Sequence, residues 1–129
     1  MTDETPREYG REYIKKLSHE GRVRVGHTIE AGEVRRFMIQ LECRIEGEWD
    51  PVVRFDHDGT GEAEHAHDVT EEGVHMDVYR SGEKERVEEI FPPLPAPQAL
   101  THAEEHISMY AERYITRYKE WYRTDTESN

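Results

Sequence analysis

Residues 34–55, VRRFMIQLECRIEGEWDPVVRF, carry the pattern that decides the fold. Phe37, Ile39, Leu41, Cys43 and Ile45 alternate with Arg36, Met38, Gln40, Glu42 and Arg44, and a period of two marks a strand with one buried face. Upstream, Val23, Val25, His27 and Ile29 repeat the alternation. If Ala31-Gly32-Glu33 is a three-residue hairpin loop, Ile29 falls opposite Arg35 and Val25 opposite Ile39. The same device at Glu46-Gly47-Glu48 puts Val53 opposite Leu41 and Phe55 opposite Ile39. Two independent loops thus gather the odd-numbered residues on one core face and send Arg54 and Asp56 to the other, beside Met38, Gln40 and Glu42. Pro51 has no N–H, so it must sit where the ladder needs none.

Beyond this stretch, Asp58-Gly59-Thr60-Gly61 reads as a turn, after which Ala63, His65, His67 and Val69 alternate with Glu64, Ala66 and Asp68. That strand would set His65 against Arg54, with His67 further along the same polar face. Val74, Met76 and Val78 predict the next strand, and Ser81-Gly82 turns the chain into residues 84–91. At the other end, Thr5-Pro6-Arg7-Glu8 is a capping box with proline in the first helical position, and Tyr9, Tyr13, Ile14 and Leu17 follow at helical spacing. The expectation is a short N-terminal helix over 5–18. The proline run at 92–97 predicts a stiff extended connector. Thr101-His102-Ala103-Glu104 then opens a helix over 101–122, whose stripe of Ala103, Ile107, Tyr110, Ala111, Tyr114, Ile115, Tyr118 and Trp121 faces the core. The fold class is α+β: one domain over 1–129, an antiparallel β-meander of about five strands within 22–90, packed against a long C-terminal helix.

The chain has 129 residues and a formal charge of -12, from 29 acids against 17 bases, of which 4 are Lys and 13 Arg. A scarcity of Lys beside excess Asp and Glu resembles haloarchaeal proteins, whose acidic surfaces work in concentrated salt. This charge excludes an extended positive footprint, so neither DNA nor an anionic membrane is an expected partner, and any contact with RNA must be local. No apolar run approaches a membrane span and MTDETPREYG has no signal-peptide core, which makes a cytoplasmic location the expectation. Cys43 is the only cysteine; it excludes an intrachain disulfide and alternates with Leu41 and Ile45 as a buried thiol.

The residues with chemistry to offer lie between 52 and 79, where His57, His65, His67 and His75 stand among Asp56, Asp58, Glu62, Glu64, Asp68, Glu71, Glu72 and Asp77. One reading is an acidic, His-bearing face in solvent. A second is a metal site, with His65 and His67 on one face of a strand and Asp56 or His75 on a neighbour, the donor set that zinc or nickel accepts. The third comes from resemblance. The run from Val34 through Asp68, with W-x-P-V-V-R-F-D after a glycine hairpin and a segment ending His67-Asp68, resembles small domains related to the TumE-like toxins of toxin-antitoxin pairs. Arg54, Phe55, Asp56, His65 and His67 carry the match, while the acidic stretch Asp58 to Glu64 replaces the usual His-Gly.

The resemblance implies a compact sheet-and-helix protein acting on RNA, with an antitoxin protein as partner and Arg54, Asp56, His65 and His67 as catalytic residues. Metal-independent RNA cleavage needs a base for the ribose hydroxyl, an acid for the leaving oxygen and a cation for the phosphorane; His65, His67 and Arg54 are the residue types for those roles. The alternative is a non-catalytic binding or structural protein. The charge itself makes a prediction: because the Debye length shrinks from ~10 Å at 0.1 M to ~3 Å at 1 M salt, thermal melts should move upward with KCl. A flat melting temperature across that range would remove the halophile reading.

Overall fold

In the computed structural model, which describes residues 9–60 and 67–127, β1 (Arg11–Lys16), β2 (Gly21–Glu30), β3 (Glu33–Ile45), β4 (Glu48–Asp58), β5 (Val74–Arg80) and β6 (Glu83–Phe91) lie side by side in chain order. They form one antiparallel six-stranded sheet, against which α2 (Ala96–Glu127) packs; α1 (Val69–Glu72) is a single turn before β5. The α+β meander with a long C-terminal helix is the architecture that the alternation implies. No helix among the described residues is long and apolar enough to cross a membrane.

The hairpins turn on Ala31-Gly32, Glu46-Gly47 and Ser81-Gly82, two residues each, with φ of 51° and 79°, 49° and 84°, and 50° and 83°. Positive φ at both positions is the type I′ geometry, whose twist matches that of the flanking strands. Each of the first two loops is one residue shorter than the three-residue device expected. A β-bulge restores the register in both cases. Ile29 pairs with Val34 rather than Arg35, the ladder shifts between Thr28 and Ile29, and Val25 then meets Ile39 as expected. Across β3 and β4 the shift falls between Leu41 and Glu42, after which Leu41 meets Val53 and Ile39 meets Phe55. This second bulge leaves Val52 without a β3 partner beside Pro51, where the missing N–H is tolerated.

Odd-numbered β3 residues form the floor of the core: Phe37, Ile39, Leu41 and Cys43 are all 0% exposed. Ala96, Ala99, Ala103, Ile107, Ala111, Tyr114 and Tyr118 are buried on α2, three or four residues apart, and the alanines let the helix lie close to the sheet. At the far end, the Tyr118 hydroxyl donates to Asp50 Oδ2 at 2.9 Å, so its burial leaves no orphaned polar group.

Three expectations are corrected. The N-terminal helix expected over 5–18 is, in its described part, the edge strand β1: Tyr13 pairs with Val25 on the helix side of the sheet. Tyr9 packs on the opposite side over Gly26, where an added Cβ would stand 2.8 Å from Tyr9 Cδ2. Pairing with the free edge of β2 outweighs the weak helical periodicity of those residues. Of the strand expected over 63–69, residues 63–66 lie outside the described residues, and the rest is no strand; Asp68 instead caps α1, accepting from Thr70 N at 2.9 Å. Finally, α2 begins at Ala96, inside the expected proline connector, and runs to Glu127. Pro97 fits because the first helical turn has no intrahelical acceptor for its N–H groups, and Thr101 is an interior residue whose hydroxyl donates to Pro97 O at 3.1 Å.

The two faces differ in what a truncation costs. Leu41→Ala opens a cavity in the closed core and should lower unfolding free energy in urea by ~2 to 5 kcal/mol, with Gln40→Ala costing well under that. Equal losses would mean that the faces are misassigned.

Candidate functional site

On the sheet face away from α2, two of the expected site residues, Arg54 and Asp56, are joined in a hydrogen-bonded network. Arg54 Nε donates to both Asp56 carboxylate oxygens at 2.9 and 2.8 Å. Its Nη1 reaches Gln40 Oε1 at 3.4 Å, and Gln40 Nε2 passes the chain on to Glu42 Oε2 at 2.6 Å. Glu42, only 5% exposed, is held also by Arg22 Nε at 2.6 Å. Burial opposes the charge of Arg54, yet the Asp56 hydrogen bonds and charge outweigh it and raise the guanidinium's pKa. The β5 residue directly across from Arg54 is Asp77, not a histidine.

His67 stands elsewhere. It is exposed, its Nδ1 lies 3.6 Å from Glu72 Oε1, and its ring centroid is 6.1 Å from that of His75. His75 Nε2 in turn lies 3.7 Å from Glu89 Oε1. The structure therefore brings His67 to His75, and Arg54 to Asp56, as two separate groups; His65 lies outside the described residues. Among the described residues no three His, Cys, Asp or Glu side chains gather as a metal-ligand set.

A histidine absent from the expected site holds the most distinctive position. His57 lies two residues beyond Phe55 on β4, so the same alternation that buries Val53 and Phe55 buries it, with a side chain 3% exposed against the Phe37 ring. Val69 N–H, at the start of α1, donates to His57 Nδ1 at 3.1 Å. That bond fixes the tautomer: Nδ1 is the acceptor, so the neutral ring carries its proton on Nε2. Burial lowers the imidazole's pKa, opposed by Asp68 and Asp58 and reinforced by Arg35.

Nε2 borders a cavity of about 460 Å³ at the end of the sheet, where Arg35, Gly59, Asp68 and the first residues of α2 converge. A Cβ on Gly59 would stand 3.2 Å from Nε2 and 3.4 Å from Cε1, so the missing side chain is what leaves this edge of the ring open. Gly59 N donates to Arg35 O at 2.8 Å, tying the two walls together. Arg35 Nε is buried with no hydrogen-bond partner among the described residues. The sequence held one usable signal for this site, the continuation of the β4 alternation through His57; the roles of Arg35 and Gly59 depend on tertiary placement.

Because burial holds His57 and His106 below the ordinary imidazole value of about 6.5, the unfolded chain binds more protons than the folded one as pH falls through that value. Stability present above it is lost on acidification. The urea midpoint should drop between about pH 7.5 and about pH 5.5, and His57→Gln should flatten the slope; an unchanged slope would place the titrating groups elsewhere. No curated protein and no solved structure matches the chain. Residues 2–124 match the family described as Domain of unknown function (DUF7718), and the chain belongs to that family.

Proposed function

We propose that the chain is a non-catalytic binding domain whose ligand enters the cavity beside His57, and that the Arg54 face is a structural polar layer. One observation carries this reading: a buried imidazole is held by a backbone N–H on one nitrogen while the other borders a cavity kept open by Gly59. Buried polar groups are normally satisfied within the protein, and a donor left at the edge of a concave site is how specificity for a small molecule is built.

Support also comes from what the catalytic alternative requires. A cation that stabilises a phosphorane must be free to face it, whereas Arg54 is bound to Asp56 by two hydrogen bonds and faces Asp77 across the ladder. Nucleophilic chemistry finds no candidate in Cys43, which is fully buried and whose thiol pKa is pushed up by that burial.

Ligand-detected NMR against a library of small polar metabolites tests the reading. Binders should lose their signal with His57→Ala and Gly59→Ala but retain it with Arg54→Gln and His67→Ala. Binders that depend on Arg54 and His67 and ignore Gly59 would move the site to the sheet face. If expression of the chain arrests growth and Arg54→Gln or His67→Ala relieves that arrest, an RNA-directed activity replaces this reading.

A further inference from the structure

We infer that the cavity beside His57 takes the oxyanion of a small phosphate or carboxylate compound, held by the His57 Nε2–H, the Arg35 guanidinium and the amino end of α2. This rests on the reading of the cavity as a binding site and names the chemistry of its ligand.

Three donors of different origin meet there. The tautomer imposed by Val69 makes Nε2 an obligate donor in the neutral ring, on a side chain 3% exposed that has no hydrogen bond from Nε2 among the described residues. Arg35 brings a fixed positive charge, with its Nε buried and unpartnered. The third is the start of α2, where Ala96 lines the cavity. A helix of 32 residues points the positive end of its dipole at this point and offers the Ala96 N–H in its first turn, whereas Pro97, which also lines the cavity, has none. Most helices blunt that end with a capping side chain or an early acid. Here the residue before Ala96 is Pro95, which has no side-chain oxygen, and no acidic residue occupies the first turn.

The carboxylates at the rim do not reverse this balance. Asp68 Oδ1 already accepts from the Thr70 amide at 2.9 Å and from the Thr70 hydroxyl, which fixes it as the cap of α1. Glu33 begins β3 at the exposed hairpin end. An ammonium ligand could use those two acids but would confront the Nε2–H, Arg35 and the helix end. Three donors satisfied together by one tetrahedral or planar oxyanion is the simpler complement.

The test follows the His57 ring ¹⁵N and Hε1 resonances, with melting temperature in parallel, at constant chloride and ionic strength. Inorganic phosphate, acetate and ethylammonium are titrated separately. Phosphate or acetate should shift the His57 signals saturably, and the tighter of the two identifies the oxyanion type. Gly59→Ala, which crowds Nε2 with a single methyl and adopts no strained backbone, should weaken that binding by roughly tenfold or more. Arg35→Gln should weaken it too, with the fold intact by the dispersion of the remaining histidine signals. Saturable binding of ethylammonium alone, still dependent on Gly59, would overturn the oxyanion assignment while keeping the cavity as a binding site. Silence from all three probes would overturn the assignment as well, leaving the metabolite library to judge the cavity itself.

Discussion

Burial of the odd-numbered side chains of β3 beneath α2 is the contact to which the rest of the molecule is referred. Phe37, Ile39, Leu41 and Cys43 have no solvent exposure, and the strand carrying them is paired along both edges, by β2 and by β4. With that face closed, the even-numbered residues have only one direction left. Glu42 is nevertheless almost buried there, and it is tolerated because Arg22 and Gln40 donate to it at 2.6 Å each. The polar network continuing through Gln40 to Arg54 and Asp56 is thus a consequence of packing on the other side of the sheet.

Much of this was legible in the chain because period-two alternation survives errors in detail. The spacing gives the first two loops three residues and the structure gives them two, yet Val25 still faces Ile39 and Phe55 still faces Ile39 from the other side, because a bulge in each ladder supplies the missing step. The aromatic and alanine stripe of α2 was equally clear. What failed was local pattern without a partner in view. Tyr9, Tyr13, Ile14 and Leu17 suit a short helix as well as an edge strand, and only the open edge of β2 decides between them. Thr101 imitates a cap while sitting inside α2, since proline in the first turn hides the true start of the helix.

The site was less legible than the fold, for a related reason. The histidines and acids that stand out by number are half-buried or exposed residues, and the structure divides them into an Arg54–Asp56 pair and a His67–His75 pair. His57 continues the odd-numbered core face of β4, although its place among the histidines and acids of 52–79 groups it with the solvent face. Its accessibility to a ligand depends on Gly59 and on the approach of α2, neither of which any local spacing encodes. Arg35 illustrates the same limit, since its neighbour relation to His57 exists only once the β2–β3 hairpin and the end of β4 are assembled.

The pairing of β4 with β5 is unlike the others. It consists of three residue pairs, Val53 with Val78, Arg54 with Asp77 and Phe55 with Met76, while β4 runs on beside β3 as far as Asp58. Every other neighbouring pair of strands is joined by a short connection and can zip from its turn on the timescale of a hairpin. This one closes across residues 59–73, bears a larger loop entropy and has few ladder bonds to offset it. The loop-closure cost therefore falls on joining two pieces, a four-stranded meander and a β5–β6 hairpin, and α2, which contacts β3, β4 and β5 together, spans that joint.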